Sequence, residues 1–283
     1  MRLTARSPLL AAAACFLAFA AVLAGAYAIA PIGRLDAIAL HGLMALDGPF
    51  SDPVNHALTR SADPRPVMLM LAVLFAWGWA LGRRREALGA VALVAGANLT
   101  GLILQVALAH PRFHPILAGN QVGAEVYPSG HATSAMSIAL AAVLVAPVRL
   151  RSIPHLRVAV ACVAAAYVIA VSTTLMVLGW HFPSDVLGGL LVSSGFFFLA
   201  VAAIRVGAAR QVGVAAQRVR LALSPGLGGA AVAVLAAAGL IALSRADELL
   251  AFARLQTVAT VTALAVMAVS AGLVASAAMI SDP

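Results

Sequence analysis

Long apolar runs constrain the fold of this 283-residue chain more than any other feature of its sequence. A helix needs about 20 consecutive apolar residues to cross the hydrocarbon core of a bilayer. Overall, 63% of the residues are hydrophobic and 10% are charged, whereas a soluble domain is about 45–50% apolar and about 25% charged. Lipid is therefore the expected solvent. The predicted spans are residues 8–30, 66–82, 87–108, 130–148, 158–178, 185–204, 224–243 and 256–278.

The spans predict an all-α membrane protein, a polytopic helical bundle with a six-helix core and two extra C-terminal helices. The first span ends near AYA, which resembles a signal-peptide cleavage site, but its apolar region is longer than the usual ~7–15 residues, which favours a retained helix. Residues 31–65 carry Gly, Pro and Asp punctuation, and we expect short amphipathic helices on the outer interface there. The expected parts are 1–65, 66–204 (the core) and 205–283.

The arginines set the predicted orientation. If the N-terminus is cytoplasmic, twelve of the eighteen Arg residues fall in inside loops and six in outside loops, as the positive-inside rule requires. The net charge of +8 is spread over short loops and forms no continuous patch, so no nucleic-acid partner is expected. The expected setting is a bacterial-type plasma membrane, with membrane lipids as neighbours of the inner arginines.

Two histidine motifs and one arginine-bearing segment lie on the same predicted side of the membrane. YPSGHATS, residues 127–134, begins the fourth span, and GWHFPSD, residues 179–185, joins the fifth span to the sixth. QVALAHPRFHP, residues 105–115, leaves the third span. Because all three segments fall on the outer side, we expect them to form one site.

The starts of two spans have the chemistry of an anion site. Ser129, preceded by a proline, is the expected N-cap of the fourth span, which would leave the N–H groups of residues 130–132 facing a ligand. Gly130 lets a ligand approach the backbone closely. Residues 183–185 open the sixth span in the same manner, and two helix N-termini aimed at one point favour an anion. Arg112 adds a bidentate donor suited to phosphate.

The histidines predict phosphoryl transfer. His181 and Asp185 are four residues apart, so the carboxylate can hold one ring nitrogen and leave the other nucleophilic. His131 is placed as a general acid for a leaving oxygen. This set predicts a phosphohistidine intermediate with no cofactor and no metal, because the acidic residues are too scattered for a two-metal site.

These residues resemble the type 2 phosphatidic acid phosphatase family, the lipid phosphate phosphatases related to vanadium haloperoxidases. The family pattern is Lys, six residues, Arg-Pro; then Pro-Ser-Gly-His; then Ser-Arg, five residues, His, three residues, Asp. Residues 128–131 keep the second part intact, and His181 and Asp185 keep the spacing of the third. The resemblance covers roughly residues 66–204.

The resemblance implies a role for each matched residue. The family's third-motif histidine is the nucleophile, which implies that role for His181, oriented by Asp185. The second-motif histidine protonates the leaving group, which implies that role for His131. Ser129 and Gly130 are implied to help hold the phosphate.

Two of the family's three cationic phosphate ligands are absent. Gln105 stands at the Lys position, seven residues before Arg112, and Leu175 stands at the Arg position. Phe113 replaces the expected proline, and Thr174 the expected serine. Each lost charge-assisted contact is worth ~1.5–3 kcal/mol, so two losses would slow an enzyme by orders of magnitude unless other groups compensate.

Neighbouring polar residues are candidates to compensate. His110 and His114 flank Arg112 and suit a phosphate when protonated, and Gln105 shares a helix face with Asn98 as a neutral donor. Gln105 equally suits a helix–helix hydrogen bond. The retained acid and nucleophile favour a changed substrate, such as a diphosphate or a phosphodiester-like group, or transfer to an acceptor other than water.

We therefore expect a membrane enzyme that removes or transfers a phosphoryl group from a lipid phosphate at the outer face. Isoprenoid diphosphates such as undecaprenyl diphosphate, phosphatidic acid and phosphatidylglycerol phosphate are the expected substrates. The alternative is a catalytically silent relative that binds lipid phosphates or scaffolds a membrane complex. A transporter is a third interpretation, disfavoured because the spans lack paired broken helices. The oligomeric state stays open.

Overall fold

The computed structural model describes residues 6–48, 52–147, 156–209 and 246–280, and these residues form an all-helical structure without strands. A single 3-10 turn, Pro115–Leu117, interrupts the segment between the fifth and sixth helices. The helices are α1 (Arg6–Ala28), α2 (Ala30–Met44), α3 (Asp52–Ser61), α4 (Pro64–Ala80), α5 (Arg84–Ala107), α6 (Gly130–Val145), α7 (Leu156–Val177), α8 (Pro183–Ala209), α9 (Ala246–Leu255) and α10 (Thr257–Ile280).

Seven of the eight predicted spans coincide with helices of the structure. Helices α1, α5, α7, α8 and α10 are long and apolar enough to cross a membrane, and α4 and α6 are shorter apolar helices of 17 and 16 residues. The predicted span 224–243 lies outside the described residues. The chain is therefore a multi-pass membrane protein, as its apolar runs predicted.

Helix α6 forms the centre of the bundle. Thirteen of its sixteen residues are buried, and it packs against α4, α5, α7, α8 and α10. Its Ala and Ser residues allow neighbouring helices to approach closely. Ser134 Oγ donates to Asn98 Oδ1 at 2.6 Å, and Asn98 Nδ2 donates to Ser137 Oγ at 3.1 Å. The Asn98 side chain, a candidate to compensate for a lost cation, thus ties α5 to α6.

Two arginines hold the C-terminal end of α6. Arg83 Nη2 donates to the carbonyl of Leu144 at 3.2 Å. Arg157 is buried, and its Nε and Nη2 both donate to the carbonyl of Ala146, at 3.1 and 2.9 Å. Carbonyls at a helix C-terminus lack intrahelical partners and attract cations. These two predicted inner-side arginines therefore fix the end of the helix whose first turn carries His131.

Helix α2 differs from the expectation for residues 31–65. Seven of its fifteen residues are buried, and it packs against α1, α7, α8 and α10. A Cβ added at Gly42 would lie 2.7 Å from Cβ of Ala259 on α10, so the two helices are in close contact. The segment is helical, as predicted, but α2 is a packed part of the bundle and not only an interfacial helix. Its buried face includes Asp36.

Candidate active site

The structure brings the two histidine motifs together at one end of the bundle. His131 lies in the first turn of α6, and His181 lies in the segment that joins α7 to α8. Their ring centroids are 6.4 Å apart. Trp180 lies beside them, with its ring centroid 5.8 Å from that of His131. His131 is partly exposed and His181 is nearly buried.

Ser129 is the N-cap of α6, as predicted. Its Oγ accepts a hydrogen bond from the N–H of Ala132 at 3.2 Å, so that N–H does not face a ligand as expected. Ser129 itself is fully buried, and its own N–H donates to the carbonyl of Asp185 at 2.9 Å. The N–H groups of Gly130 and His131 belong to the first turn and have no intrahelical acceptor. They remain the candidate anion donors of this helix.

Gln105 supports the loop before α6. Its Nε2 donates to the carbonyl of Pro128 at 2.9 Å. A Cβ added at Gly130 would lie 3.3 Å from the same Nε2, so the amide lies directly against the glycine. Gln105 therefore positions the Pro-Ser-Gly-His turn, and the sequence-based prediction that it binds phosphate remains a prediction.

Asp185 lies next to His181 without a closed hydrogen bond. His181 Nδ1 is 3.9 Å from Asp185 Oδ2, which is longer than a hydrogen bond of about 2.7–3.2 Å. Nδ1 is buried and has no hydrogen-bond partner among the described residues. Asp185 is fully buried, and its Oδ2 accepts from the N–H of Phe182 at 2.9 Å. His181 and Asp185 are therefore adjacent, as predicted, but no hydrogen bond between them orients the imidazole ring.

Arg112 forms a buried ion-pair network. Its Nη2 donates to Asp185 Oδ1, and its Nη1 donates to Asp36 Oδ2 at 3.2 Å and to Ser184 Oγ at 2.9 Å. Only 8% of its surface is exposed. The guanidinium thus binds two carboxylates, while Nε is buried without a partner among the described residues. Its guanidinium carbon also lies over the rings of Phe182 and Tyr27, at 4.1 and 4.8 Å from their centroids.

Asp36 was not predicted as a site residue. Its Oδ1 accepts from the N–H of Ser184 at 3.0 Å, and its Oδ2 accepts from Ser184 Oγ at 2.5 Å. We expected the N-terminus of α8 to bind part of a ligand. In the structure it binds the Asp36 carboxylate of α2 instead. Burial raises the pKa of the Asp36 carboxyl to about 6, against the opposing effect of the Ser184 hydrogen bond. The signal in the sequence is an aspartate enclosed by apolar residues in RLDAIAL.

Asp63 is the second acidic residue that the motifs did not indicate. Its Oδ1 lies 3.2 Å from Nε2 of His131. Asp63 occupies the N-cap position of α4, yet its side chain makes no capping hydrogen bond. On the other side of Trp180, the half-buried ring of His56 lies 5.9 Å away between centroids. Helix α3 and the start of α4 therefore border the site.

The remaining candidates are Leu175, His110 and His114, and the contacts described for them are with residues other than the two histidines. Leu175, at the family's Arg position, is fully buried in the core. His110 is exposed, and its nearest described ring is that of Tyr27, 6.4 Å away between centroids. His114 packs edge-on against Phe182 at 5.6 Å. Burial, and then the Arg112 guanidinium, lower the pKa of His114, which opposes the protonated form that compensation would require.

Comparison with known proteins agrees with the helical membrane fold. Residues 86–208 match the model of the PAP2 superfamily. The fold is also similar to a solved structure, the crystal structure of the first transmembrane PAP2 type phosphatidylglycerolphosphate phosphatase from Bacillus subtilis. The superposition covers 71% of this chain and 97% of that protein's chain, with a TM-score of 0.54 and 20% sequence identity. Identity at this level shows a shared fold. No curated protein sequence matches the chain.

Proposed function

Residues 86–208 match the PAP2 superfamily, and on that basis we propose that the chain is a member of this superfamily that removes or transfers a phosphoryl group from a lipid phosphate through a phosphohistidine on His181. One observation carries the proposal. His131 and His181 come from separate motifs, 50 residues apart in the numbering, yet their ring centroids lie 6.4 Å apart at the N-terminus of α6. Two imidazoles on one phosphoryl group suit a nucleophile and an acid.

In the first step, His181 attacks phosphorus. Asp185 lies on the Nδ1 side of the ring, so Nε2 is the nitrogen that bonds to phosphorus. The bond from phosphorus to the leaving oxygen breaks, and protonated His131 gives its proton to that oxygen. Closing the 3.9 Å gap between His181 and Asp185 stabilises the positive charge that develops on the imidazole. Such contacts are often long in ligand-free enzymes and tighten with substrate.

In the second step, an acceptor cleaves phospho-His181. Neutral His131 takes a proton from water or from an alcohol, the acceptor oxygen bonds to phosphorus, and the phosphorus–nitrogen bond breaks. Water gives hydrolysis, and an alcohol gives transfer. The N–H groups of Gly130 and His131, with the dipole of α6, favour the phosphoryl oxygens in both steps.

Lipid phosphates are the proposed substrates because the site lies at one end of the membrane helices. Trp180, at the site, is partly exposed, and indole rings are frequent at the membrane interface. The candidate lipids, which are isoprenoid diphosphates, phosphatidic acid and phosphatidylglycerol phosphate, all carry their phosphate at the membrane interface. We place the site at the outer face of a bacterial-type plasma membrane with the N-terminus in the cytoplasm, because that orientation leaves twelve of eighteen arginines inside.

A second candidate function is binding of a lipid phosphate without turnover. Arg112, the retained cation of the family pattern, donates to Asp36 and Asp185, and the apolar Leu175 stands where another cation is expected. A phosphate dianion must compete with two carboxylates for one guanidinium. This arrangement favours a silent relative that binds the lipid phosphate through other groups.

Phosphate release by the detergent-purified full chain tests the proposal. The panel contains the three lipid classes, and a radiolabelled phosphoryl group reports transfer to glycerol or another alcohol. The expected result is turnover of at least one lipid that is lost in His181→Ala and retained in His41→Ala, an exposed histidine of α2. Saturable binding of a lipid phosphate without release or transfer would favour the second candidate.

A further inference from the structure

Helix α4 begins with an aspartate that does not cap it. Asp63 occupies the N-cap position, with extended backbone at φ −64 and ψ 157. Aspartate is among the preferred N-caps because its carboxylate accepts hydrogen bonds from the first free N–H groups of the helix. Here the side chain makes no such bond, and Oδ1 lies 3.2 Å from Nε2 of His131.

Stability does not explain this choice. The side chain of Asp63 is 46% exposed and that of His131 is 28% exposed. An exposed ion pair stabilises a protein by less than a good N-cap hydrogen bond typically does. The carboxylate therefore turns away from the more stabilising partner within its reach and towards the histidine of the Pro-Ser-Gly-His motif.

We propose that Asp63 is a positioning residue for His131. This inference rests on the proposed function. A carboxylate at Nε2 keeps a proton on that nitrogen in the neutral ring, and it stabilises the imidazolium before proton transfer. The nitrogen that gives its proton to the leaving oxygen is then Nδ1. After the transfer, His131 is neutral, Nε2–H still donates to Asp63, and Nδ1 accepts the proton of the incoming water or alcohol.

The site would then contain two histidine–aspartate pairs with different tasks. Asp185 is fully buried and faces the nucleophile His181, whereas Asp63 is half exposed and faces the acid His131. Asp63 lies outside residues 86–208, the part that matches the superfamily model. The N-terminal region would thus supply a component of the site in addition to the motif residues.

The leaving group of the substrate distinguishes a positioning role of Asp63 from a purely structural role. A general acid matters for an alkoxide leaving group and little for a good aryl leaving group such as p-nitrophenolate. Asp63→Asn and Asp63→Ser keep good N-cap residues on α4, so both variants are expected to retain the melting temperature. Each is measured in the full chain with an alkyl lipid phosphate and with p-nitrophenyl phosphate.

The expected result is a loss of kcat/KM of about tenfold or more on the alkyl substrate and of less than about threefold on the aryl substrate, because kcat/KM reports the first step and excludes the cleavage of phospho-His181. KM for the alkyl substrate should change by less than about twofold, and adding Asp63→Asn to His131→Ala should cause no further loss. Glu125→Gln, an exposed loop carboxylate on the same predicted side, is the matched control and should leave both activities unchanged.

Two outcomes would overturn the inference separately. Equal losses of kcat/KM on both substrates, or a full additional loss in the His131→Ala background, would show that Asp63 does not act through His131. A wild-type chain that releases and transfers phosphate from no substrate would instead overturn the proposed function, and the role of Asp63 with it.

Discussion

The Asp36 carboxylate accepts a hydrogen bond from the backbone N–H of Ser184 at 3.0 Å, so a side chain of α2 occupies the N-terminus of α8. The same carboxylate binds Arg112 at 3.2 Å. Three segments that are remote in sequence therefore meet at one buried carboxylate. The anion-binding capacity of that helix end is used to hold the bundle together beside the site.

The stability of the protein should fall as pH rises through the range in which Asp36 ionises. Burial raises the pKa of Asp36 from 3.8 to about 6 in the folded chain. Between about pH 4 and pH 6 the unfolded chain loses this proton and the folded chain keeps it, so ionisation costs the folded state free energy, on the order of 3 kcal/mol by pH 7. Asp36→Asn removes this dependence.

Melting temperatures in detergent at pH 4.5 and pH 7 measure the effect. The wild-type chain should lose more stability between the two pH values than Asp36→Asn does. An equal loss in both chains would show that Asp36 titrates normally. Glu125→Gln is the control, because that carboxylate is exposed and its replacement should not alter the pH dependence.

Removal of Arg112 should destabilise the protein through the carboxylates that it leaves behind. Arg112→Gln leaves Asp36 and Asp185 buried without their cation, which typically costs ~3–5 kcal/mol. Arg65→Gln, at an exposed arginine of α4, is the matched control and should leave the melting temperature nearly unchanged.

The double variant Asp36→Asn with Arg112→Gln tests whether the loss of stability in Arg112→Gln comes from the buried carboxylates. It removes one of the two stranded charges, so its loss should be smaller than the sum of the single losses, with a coupling of ~0.5–3 kcal/mol. Additive losses in melting temperature would mean that Arg112 does not stabilise the chain through Asp36, which leaves its contacts with Asp185 and with the rings of Phe182 and Tyr27.

The sequence predicted the features that depend on residues close together in the chain. Apolar runs predicted seven described helices to within a few residues, and the spacing of the motifs predicted that His131 and His181 share a site. Asp36 and Asp63 were not predicted, because their partners Arg112 and His131 lie 76 and 68 residues away. A single carboxylate near an apolar segment carries no information about which remote residue it contacts.

Helix α2 shows the same limit for packing. Its small and apolar residues fit an interfacial helix and a packed one equally well, since both need one apolar face. The contact of Gly42 with Ala259 decides between them, and it depends on a helix more than 200 residues later in the chain. Periodicity therefore predicted the element but not its neighbours.

An arginine at position 175 should not be tolerated, although the family pattern has one there. Leu175 is fully buried in the core, and an unpaired guanidinium in apolar surroundings costs several kcal/mol. Leu175→Arg should therefore lower the melting temperature strongly, whereas Leu175→Met, which conserves volume, should cost less than ~1.5 kcal/mol. A stable and more active Leu175→Arg chain would mean that the side chain reaches the site and restores the missing cation.

Two glycines of α8 should respond to alanine in opposite directions. A Cβ at Gly189 would lie 2.8 Å from the carbonyl oxygen of Ser129 and 2.9 Å from the N–H nitrogen of Thr133. Both are backbone atoms of the first turn of α6, so they cannot move aside as a side chain can. Gly189→Ala should force α8 away from α6 at a cost of ~1–3 kcal/mol or more.

Because that turn also carries His131, Gly189→Ala should lose turnover together with stability. A Cβ at Gly207 meets nothing within 4 Å, and alanine there should stabilise the helix by about 0.5–1 kcal/mol through its higher helix propensity. Melting temperature and phosphate release of the two variants, measured side by side, check the prediction. Equal melting temperatures for Gly189→Ala and Gly207→Ala would show that α6 and α8 are not in backbone contact beside the site.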